Sequence, residues 1–189
     1  MLTVGGVSRE NVTTSAAKMG KLIEDLLAFS RAGRTAMNLR PVDSAQIVTE
    51  VRQEMEPDLE GRAIAWEIAP LPAVRADPKL LKLVWVNLLS NAVKYTRPRP
   101  AARVEIGAHP SEKDENMIVF YVRDNGVGFD MEYVDKIFGV FQRLHSDEQF
   151  AGTGIGLATV RRLVNRHGGC VRAEGEVGVG ATFYFSIAD

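Results

Sequence analysis

The chain has 189 residues, a formal net charge of −1 and 46% hydrophobic residues, which is typical of one packed globular domain with part of a second. The low net charge argues against nucleic acid binding by bulk charge. The single cysteine, Cys170, excludes an internal disulfide and a cysteine-only metal site. The chain lacks an apolar run of about 20 residues and the pattern of a signal peptide, so we expect a cytoplasmic location.

Residues 1–38 are predicted to be a separate unit that contains one long helix, the segment "SRENVTTSAAKMGKLIEDLLAFSRAG", which packs against another helix. Apolar residues repeat there with the four–three spacing of a coiled coil or helical bundle: Val12, Ala16, Met19, Ile23 and Leu26. A single helix cannot bury such a stripe by itself, so we expect a partner helix from another chain or from additional sequence. The alternative is that the stripe packs onto the chain's own domain. Gly33 is predicted to end this helix.

The remaining residues predict an α+β domain, with helices on one face of a sheet. Asp43 is expected to cap a helix that runs to Met55, and Asp77 with Pro78 starts a second, largely apolar helix. A short helix over 132–141 and a longer one over 155–166 follow. Strands are predicted from the segments "AIAWEI", "ARVEIGAH", "MIVFYVRD", "CVRAE" and "ATFYFSI". Because hairpins dominate this order, it does not fit a doubly wound parallel sheet.

Two glycine clusters are the first candidates for a binding site. The segment "GTGIGL" (152–157) opens a helix, and free amides at a helix N-terminus can hold a phosphate. The alternative is a flexible loop before a helix. The segment "DNGVGFD" (124–130) follows a strand and predicts either a tight turn or a place where Asp124 accepts a hydrogen bond from an amine. The P-loop, the dinucleotide-binding fingerprint and the protein-kinase motifs do not occur in the sequence.

Five segments in a fixed order resemble the ATP-binding catalytic domain of bacterial sensor histidine kinases. They are the N box "NLLSNAVKYT", then "DNGVGFD", the F box "KIFGVFQRLH", "GTGIGLA", and the closing "HGG…GVGATFYF". The resemblance covers about residues 39–189 and extends to the superfamily of gyrase and the heat-shock chaperone ATPases. The F box and the following glycine segment are similar to the phytochrome-type branch. The resemblance implies a Bergerat-type two-layer sandwich with a mixed, mostly antiparallel sheet, and ATP and Mg²⁺ as cofactors.

The resemblance also implies how the base of the nucleotide is held. Asp124 would accept a hydrogen bond from the exocyclic amine of adenine, while Gly126 and Gly128 let the base approach. Tyr95 would pack beside the adenine. Thr182, in the segment "GATF", would place a hydroxyl near the same edge of the base.

On the phosphate side, the resemblance assigns Asn91 as the protein ligand of Mg²⁺. Lys94 and Arg143 would neutralise phosphate charge, although a solvated surface position would be the preferred interpretation of each residue without the surrounding motifs. Phe138 and Phe141 are expected to pack the base of a lid that spans about residues 141–154. The cradle and hinge of this lid would be formed by Gly152, Thr153, Gly154, Gly156 and Leu157.

Asn87 distinguishes this sequence from the hydrolytic members of the superfamily, in which a glutamate at the matching position activates water. An amide cannot serve as a general base. We therefore expect slow hydrolysis, which leaves the γ-phosphoryl group for another nucleophile. Positioning and charge neutralisation are the main requirements of such a transfer.

The acceptor expected of a histidine kinase, a histidine on a helical hairpin followed by an acidic residue, does not match His109, His145 or His167. The opening helix resembles the second helix of the dimerisation hairpin. We therefore expect a piece of a longer homodimeric kinase that binds ATP without phosphorylating itself, and that works with the receiver domain of a response regulator. The alternatives are an ATPase of the same superfamily and a non-enzymatic dimerisation module.

Overall fold

The computed structural model describes residues 19–20, 22–24, 26–27, 29–30, 36–59, 61–144 and 149–188. The described residues before position 31 are helical, and Met19, Ile23 and Leu26 of the predicted stripe are exposed. Val12, Ala16, Gly33 and His145 lie outside the described residues, so the partner helix remains a prediction. Within the described residues, no helix is both long and apolar enough to cross a membrane.

In the part of the chain that the structure describes, seven strands form two sheets. In chain order they are β1 (Arg40–Asp43), β2 (Ile64–Ile68), β3 (Ala73–Ala76), β4 (Ala102–Pro110), β5 (Met117–Asp124), β6 (Val171–Glu176) and β7 (Gly180–Ala188). The main sheet has the order β2-β4-β5-β7-β6, with β2 parallel to β4 and the other pairs antiparallel. This agrees with the predicted mixed, mostly antiparallel sheet. The sequence did not predict β1 and β3, which pair with each other in a separate small sheet.

Among the described residues from position 36 onward, three α-helices accompany the sheets: α1 (Ser44–Met55), α2 (Pro78–Tyr95) and α3 (Gly156–Arg166). The carboxylates of Asp43 and Asp77 accept hydrogen bonds from backbone N–H groups in the first turns of α1 and α2, as predicted. The short 3₁₀ helices are Glu56–Leu59 and Met131–Tyr133.

The prediction of a helix over residues 132–141 is wrong. Only the 3₁₀ helix Met131–Tyr133 forms, and residues 134–141 are turns. Phe141 has a φ of 62°, outside the helical region, and its N–H donates to the Gly154 carbonyl at 2.9 Å. A hydrogen bond to a distant segment therefore replaces the continuation of the helix.

The hydrophobic core lies between α2 and one face of the main sheet. Trp85 of α2 is fully buried and meets Phe120 and Phe185 edge-on, at ring-centroid distances of 5.7 and 5.1 Å. Side chains alternate along a strand, so Asp124, four residues after Phe120 on β5, lies on the same face of the sheet as Phe120. The last residue of β5 thus directs a carboxylate towards the helices.

A buried histidine joins the start of α2 to the end of α3. The N–H of Asp77 donates to Nε2 of His167 at 3.0 Å, and Nδ1 of His167 lies 2.8 Å from the Leu163 carbonyl oxygen. Nε2 is therefore an acceptor, and Nδ1 is placed to donate to the Leu163 carbonyl. This joint fixes the two helices that border the candidate site relative to each other.

Candidate functional site

A cavity of about 460 Å³ lies between α2 and the segment that leads into α3. One wall carries Asn87, Asn91 and Lys94, which recur at intervals of four and three residues and therefore share one face of α2. The opposite wall contains the predicted cradle and its neighbours: Ile137, Gln142, Arg143, Ala151, Gly152, Thr153, Gly154, Gly156 and Leu157. The structure thus brings the predicted phosphate-side residues together.

The two asparagines of the N box have different surroundings. Nδ2 of Asn87 donates to the Leu83 carbonyl at 2.7 Å, within its own helix. Its Oδ1 faces the start of α3, where a Cβ added to Gly156 would lie only 2.7 Å away. Glycine at this position therefore lets the two helices approach closely. Asn91, one turn further along α2, lines the same cavity.

The first turn of α3 has the features of an anion-binding helix end. Ile155 occupies the N-cap position and makes no side-chain hydrogen bond to the first turn. The N–H groups that an N-cap side chain would otherwise satisfy can therefore be used by a ligand in the cavity.

Two cationic side chains border the cavity. Nζ of Lys94 lies 4.3 Å from the centroid of the Tyr95 ring, and burial, together with the nearby Arg143 guanidinium, lowers the pKa of Lys94 to about 8. Arg143 donates through Nη2 to the Phe150 carbonyl at 2.7 Å. Over the described ranges, no carboxylate forms an ion pair with Lys94. The cavity is therefore suited to an anion.

A smaller cavity of about 60 Å³ adjoins the first and contains Asp124. The two cavities share Tyr95, Ile137, Gln142, Arg143 and Leu157 as lining residues. Burial raises the pKa of Asp124 to about 6, although its carboxylate accepts hydrogen bonds from the N–H groups of Gly126 and Ala181. Since the other walls include Phe129 and Phe183, the site offers one buried acceptor among apolar rings.

Gly126 and Gly128 lie where the loop after β5 touches other backbone segments. A Cβ on Gly126 would be 2.6 Å from both Oδ1 of Asp124 and the Tyr95 carbonyl oxygen. Gly128 has a φ of 65°, and its Cβ would be 1.9 Å from the Glu176 carbonyl oxygen. The structure therefore requires glycine at both positions for the packing of the loop itself, a reason that the resemblance did not supply.

Thr182 does not join the other predicted residues. The alternation along β7 places its side chain on the opposite face of the sheet from Asp124, where its hydroxyl accepts a hydrogen bond from Nε of Arg123 at 3.3 Å. The neighbouring Ala181 lines the Asp124 cavity instead. The alternation of Ala181, Phe183 and Phe185 was the signal in the sequence that could have revealed this.

The lid region is only partly described, because residues 145–148 lie outside the described ranges. Phe138 is buried and meets Phe183 edge-on at 6.5 Å, as expected of a residue that packs the base of the lid. Phe141 differs from the expectation, since it is 58% exposed. The buried ring of Phe150, which packs against Tyr95 at 5.0 Å, contributes to the lid base instead.

Comparisons with known proteins agree with this geometry. The family described as "Histidine kinase-, DNA gyrase B-, and HSP90-like ATPase" matches residues 76–189. The phytochrome-like protein Cph1 from Synechocystis sp. is 32% identical, over 92% of this chain and 23% of its own length. The methanogenesis regulatory histidine kinase FilI from Methanothrix harundinacea is 34% identical, over 93% of this chain and 19% of its own length. The chain thus spans less than a quarter of these relatives.

A solved structure also resembles this chain. It is the crystal structure of full-length ShkA in complex with AMPPNP, and the sequence of ShkA is 32% identical to this chain. The match has a TM-score of 0.74 and covers 98% of this chain and 40% of ShkA. The fold predicted from the sequence and the resemblance carried by the five segments are therefore confirmed.

Proposed function

Because the chain belongs to the histidine kinase-, DNA gyrase B- and HSP90-like ATPase family, we propose that it binds Mg-ATP and transfers the γ-phosphoryl group to a histidine, as the catalytic domain of a two-component sensor kinase. One observation carries this proposal. A buried carboxylate in one cavity and two cations in the adjoining cavity match the two ends of ATP.

The side chains then divide the recognition of ATP between them. Asp124 accepts a hydrogen bond from the adenine amine, and Tyr95 packs beside the base. Lys94, Arg143 and the first N–H groups of α3 neutralise the phosphates. An amide oxygen is a hard ligand of the kind that Mg²⁺ accepts, so Asn91 would hold the ion together with phosphate and water oxygens. The bound ion would add to the neutralisation of phosphate charge.

Asn87 keeps hydrolysis slow in this proposal. Its amide is hydrogen-bonded to the Leu83 carbonyl and cannot remove a proton from water. The γ-phosphoryl group therefore remains available for a histidine that is brought to the open side of the cavity. The rest of the catalysis consists of in-line positioning and charge neutralisation.

The accepting histidine is proposed to lie outside this chain. His167 is buried, and both of its ring nitrogens are engaged in hydrogen bonds. His109 is exposed at the end of β4, with Nδ1 2.8 Å from the Pro110 carbonyl oxygen. Neither lies on a helix that could pair with a second chain.

We also propose that residues 1–38 form the C-terminal helix of a dimerisation hairpin and that residues 39–189 form the catalytic domain. The exposure of Met19, Ile23 and Leu26 supports a helix that is completed by other helices of the same kinase. The response regulator would then receive the phosphoryl group from the histidine through its receiver domain, in the cytoplasm.

The test combines a binding titration with a transfer assay. Mg-ATP is titrated into the chain, and radiolabelled ATP is then added with and without a separate polypeptide that carries an acceptor helix. We expect binding, and acid-labile label on the acceptor alone; Asp124→Ala serves as the control that should remove both. Absence of binding at millimolar ATP would contradict the proposal and favour a non-enzymatic dimerisation module. Fast hydrolysis of ATP without an acceptor would indicate an ATPase.

A further inference from the structure

Arg99, in the loop after α2, directs its guanidinium at the backbone of two other loops. Nε donates to the Asn125 carbonyl at 2.7 Å, and Nη2 donates to the Gly126 carbonyl at 2.9 Å. Nη2 also donates to the Gly178 carbonyl. In the part of the chain that the structure describes, no carboxylate forms an ion pair with Arg99. The hydrogen bonds of the Arg99 guanidinium therefore go to backbone carbonyl groups.

The two loops that Arg99 joins are the ones that orient the Asp124 carboxylate. Gly126 belongs to the loop after β5, and its N–H donates to Asp124 at 2.8 Å. Ala181 follows the turn between β6 and β7, and its N–H also donates to Asp124. Because Arg99 binds Gly126 on one side and Gly178 on the other, it connects both sources of these hydrogen bonds.

These loops are packed without side chains between them. A Cβ on Gly180 would lie 2.0 Å from the Asp124 carbonyl oxygen, and the N–H of Gly178 donates to the Val127 carbonyl at 2.7 Å. A shift of the turn relative to the loop would therefore move the carboxylate directly. The N–H of Val127 donates in turn to the Tyr95 carbonyl at 3.2 Å, which ties the loop to the end of α2.

We propose that Arg99 is a positioning residue for the base side of the nucleotide site. It holds the loop 124–128 and the turn 176–180 in the relative position that aims Asp124 at the adenine amine. This inference rests on the proposed function, because the effect on affinity requires a bound adenine. The guanidinium of Arg99 donates to carbonyls of the loop 124–128 and the turn 176–180. Among the described residues, neither Asn87, Asn91 nor Lys94 makes a hydrogen bond to it, so we expect the main effect on the base.

The experiment compares Arg99→Ala and Arg99→Lys with Arg97→Ala, an exposed arginine of the same loop. Calorimetry measures the binding of Mg-ATP and of inorganic tripolyphosphate with Mg²⁺, which offers only the phosphate end. Arg99→Ala should weaken ATP binding by at least about tenfold, the equivalent of one charge-assisted hydrogen bond. Tripolyphosphate binding should change by less than about twofold. Arg99→Lys should be intermediate, because an ammonium group cannot span all three carbonyls.

Amide hydrogen exchange in the nucleotide-free chain provides an independent measure. Faster exchange in the loop 124–128 and the turn 176–180 is expected in both Arg99 variants and not in Arg97→Ala. ATP binding by Arg99→Ala equal to that of the unmodified chain refutes the inference, as does equal weakening of both ligands. If Arg99→Ala does not fold, unchanged ATP affinity in Arg99→Lys refutes it. Absence of ATP binding by the unmodified chain refutes the proposed function instead, and hydrogen exchange still tests the contact.

Discussion

Replacing Asp124 by asparagine should make the fold more stable while it weakens nucleotide binding. Burial raises the pKa of this carboxyl from 3.8 to about 6, and the two N–H groups that donate to it compensate only in part. A difference of about 2 pKa units corresponds to about 3 kcal/mol of unfavourable free energy for the ionised form in the folded chain. Asparagine has no charge to desolvate, so this is the largest gain in stability expected of Asp124→Asn.

The sign of the pH dependence follows from the raised pKa. Between pH 3.8 and about 6, the folded chain retains a proton that the unfolded chain has lost. The unmodified chain therefore loses stability as the pH rises through this window and shows no further loss from this group above it. We expect the difference between Asp124→Asn and the unmodified chain to grow from pH 4 to pH 6 and then to remain level. Urea unfolding of both proteins at pH 4, 5, 6 and 7.5 measures it, and a difference independent of pH would refute the reasoning.

The same carboxylate should make ATP binding depend on pH. With a pKa of about 6, about one carboxyl in eleven is ionised at pH 5, so ATP affinity should be about tenfold lower there than above pH 7. The phosphates of ATP also titrate near this range, and the profile of Asp124→Asn corrects for them. Parallel profiles for the two proteins would show that the carboxylate does not take part in binding.

Three further substitutions test separate parts of the site. Asn87→Glu should raise steady-state ATP hydrolysis by about a hundredfold while binding persists; an unchanged rate of phosphate release would contradict the explanation based on a missing base. Lys94→Met should weaken Mg-ATP binding about tenfold without affecting adenosine binding, and equal losses for both ligands would argue against a phosphate contact. Gly128→Ala should destabilise the fold by about 1–3 kcal/mol in urea unfolding, and clearly more than Gly61→Ala, which has a similar positive φ but open space around it.

Elements with strong local signals could be predicted from the sequence. The strand β5 has the predicted limits because its residues favour strands and polar loops flank it. The start of α2 was equally clear, since Asp77 can cap a helix and Pro78 can occupy its first position. The site residues on α2 were predicted from the resemblance of the N box, and the structure places Asn87, Asn91 and Lys94 on one face of that helix.

Features that depend on distant partners could not be predicted in this way. The strands β1 and β3 have four residues each and pair across a helix and another strand, so neither contains a pattern long enough to detect. The helix expected over 132–141 does not form, because the N–H of Phe141 donates to the carbonyl of the distant Gly154 instead of to a carbonyl of the preceding turn. Thr182 was assigned one position away from the residue that faces the cavity, and a shift of one residue in a strand moves a side chain to the opposite face.

Burial of Lys94 and Asp124 disfavours the charged form of each group in the chain without a ligand. The pKa of Lys94 is lowered and that of Asp124 is raised, and burial is the main cause of each shift. Each group therefore loses its charge more readily in the folded chain than in water. Among the ion pairs of the described residues, Lys94 and Asp124 do not form one with each other. A ligand that brings an amine to Asp124 and phosphates to Lys94 would stabilise both charged forms. Binding of ATP should therefore lower the pKa of Asp124 and raise that of Lys94, so that the ligand provides the compensation that the fold lacks.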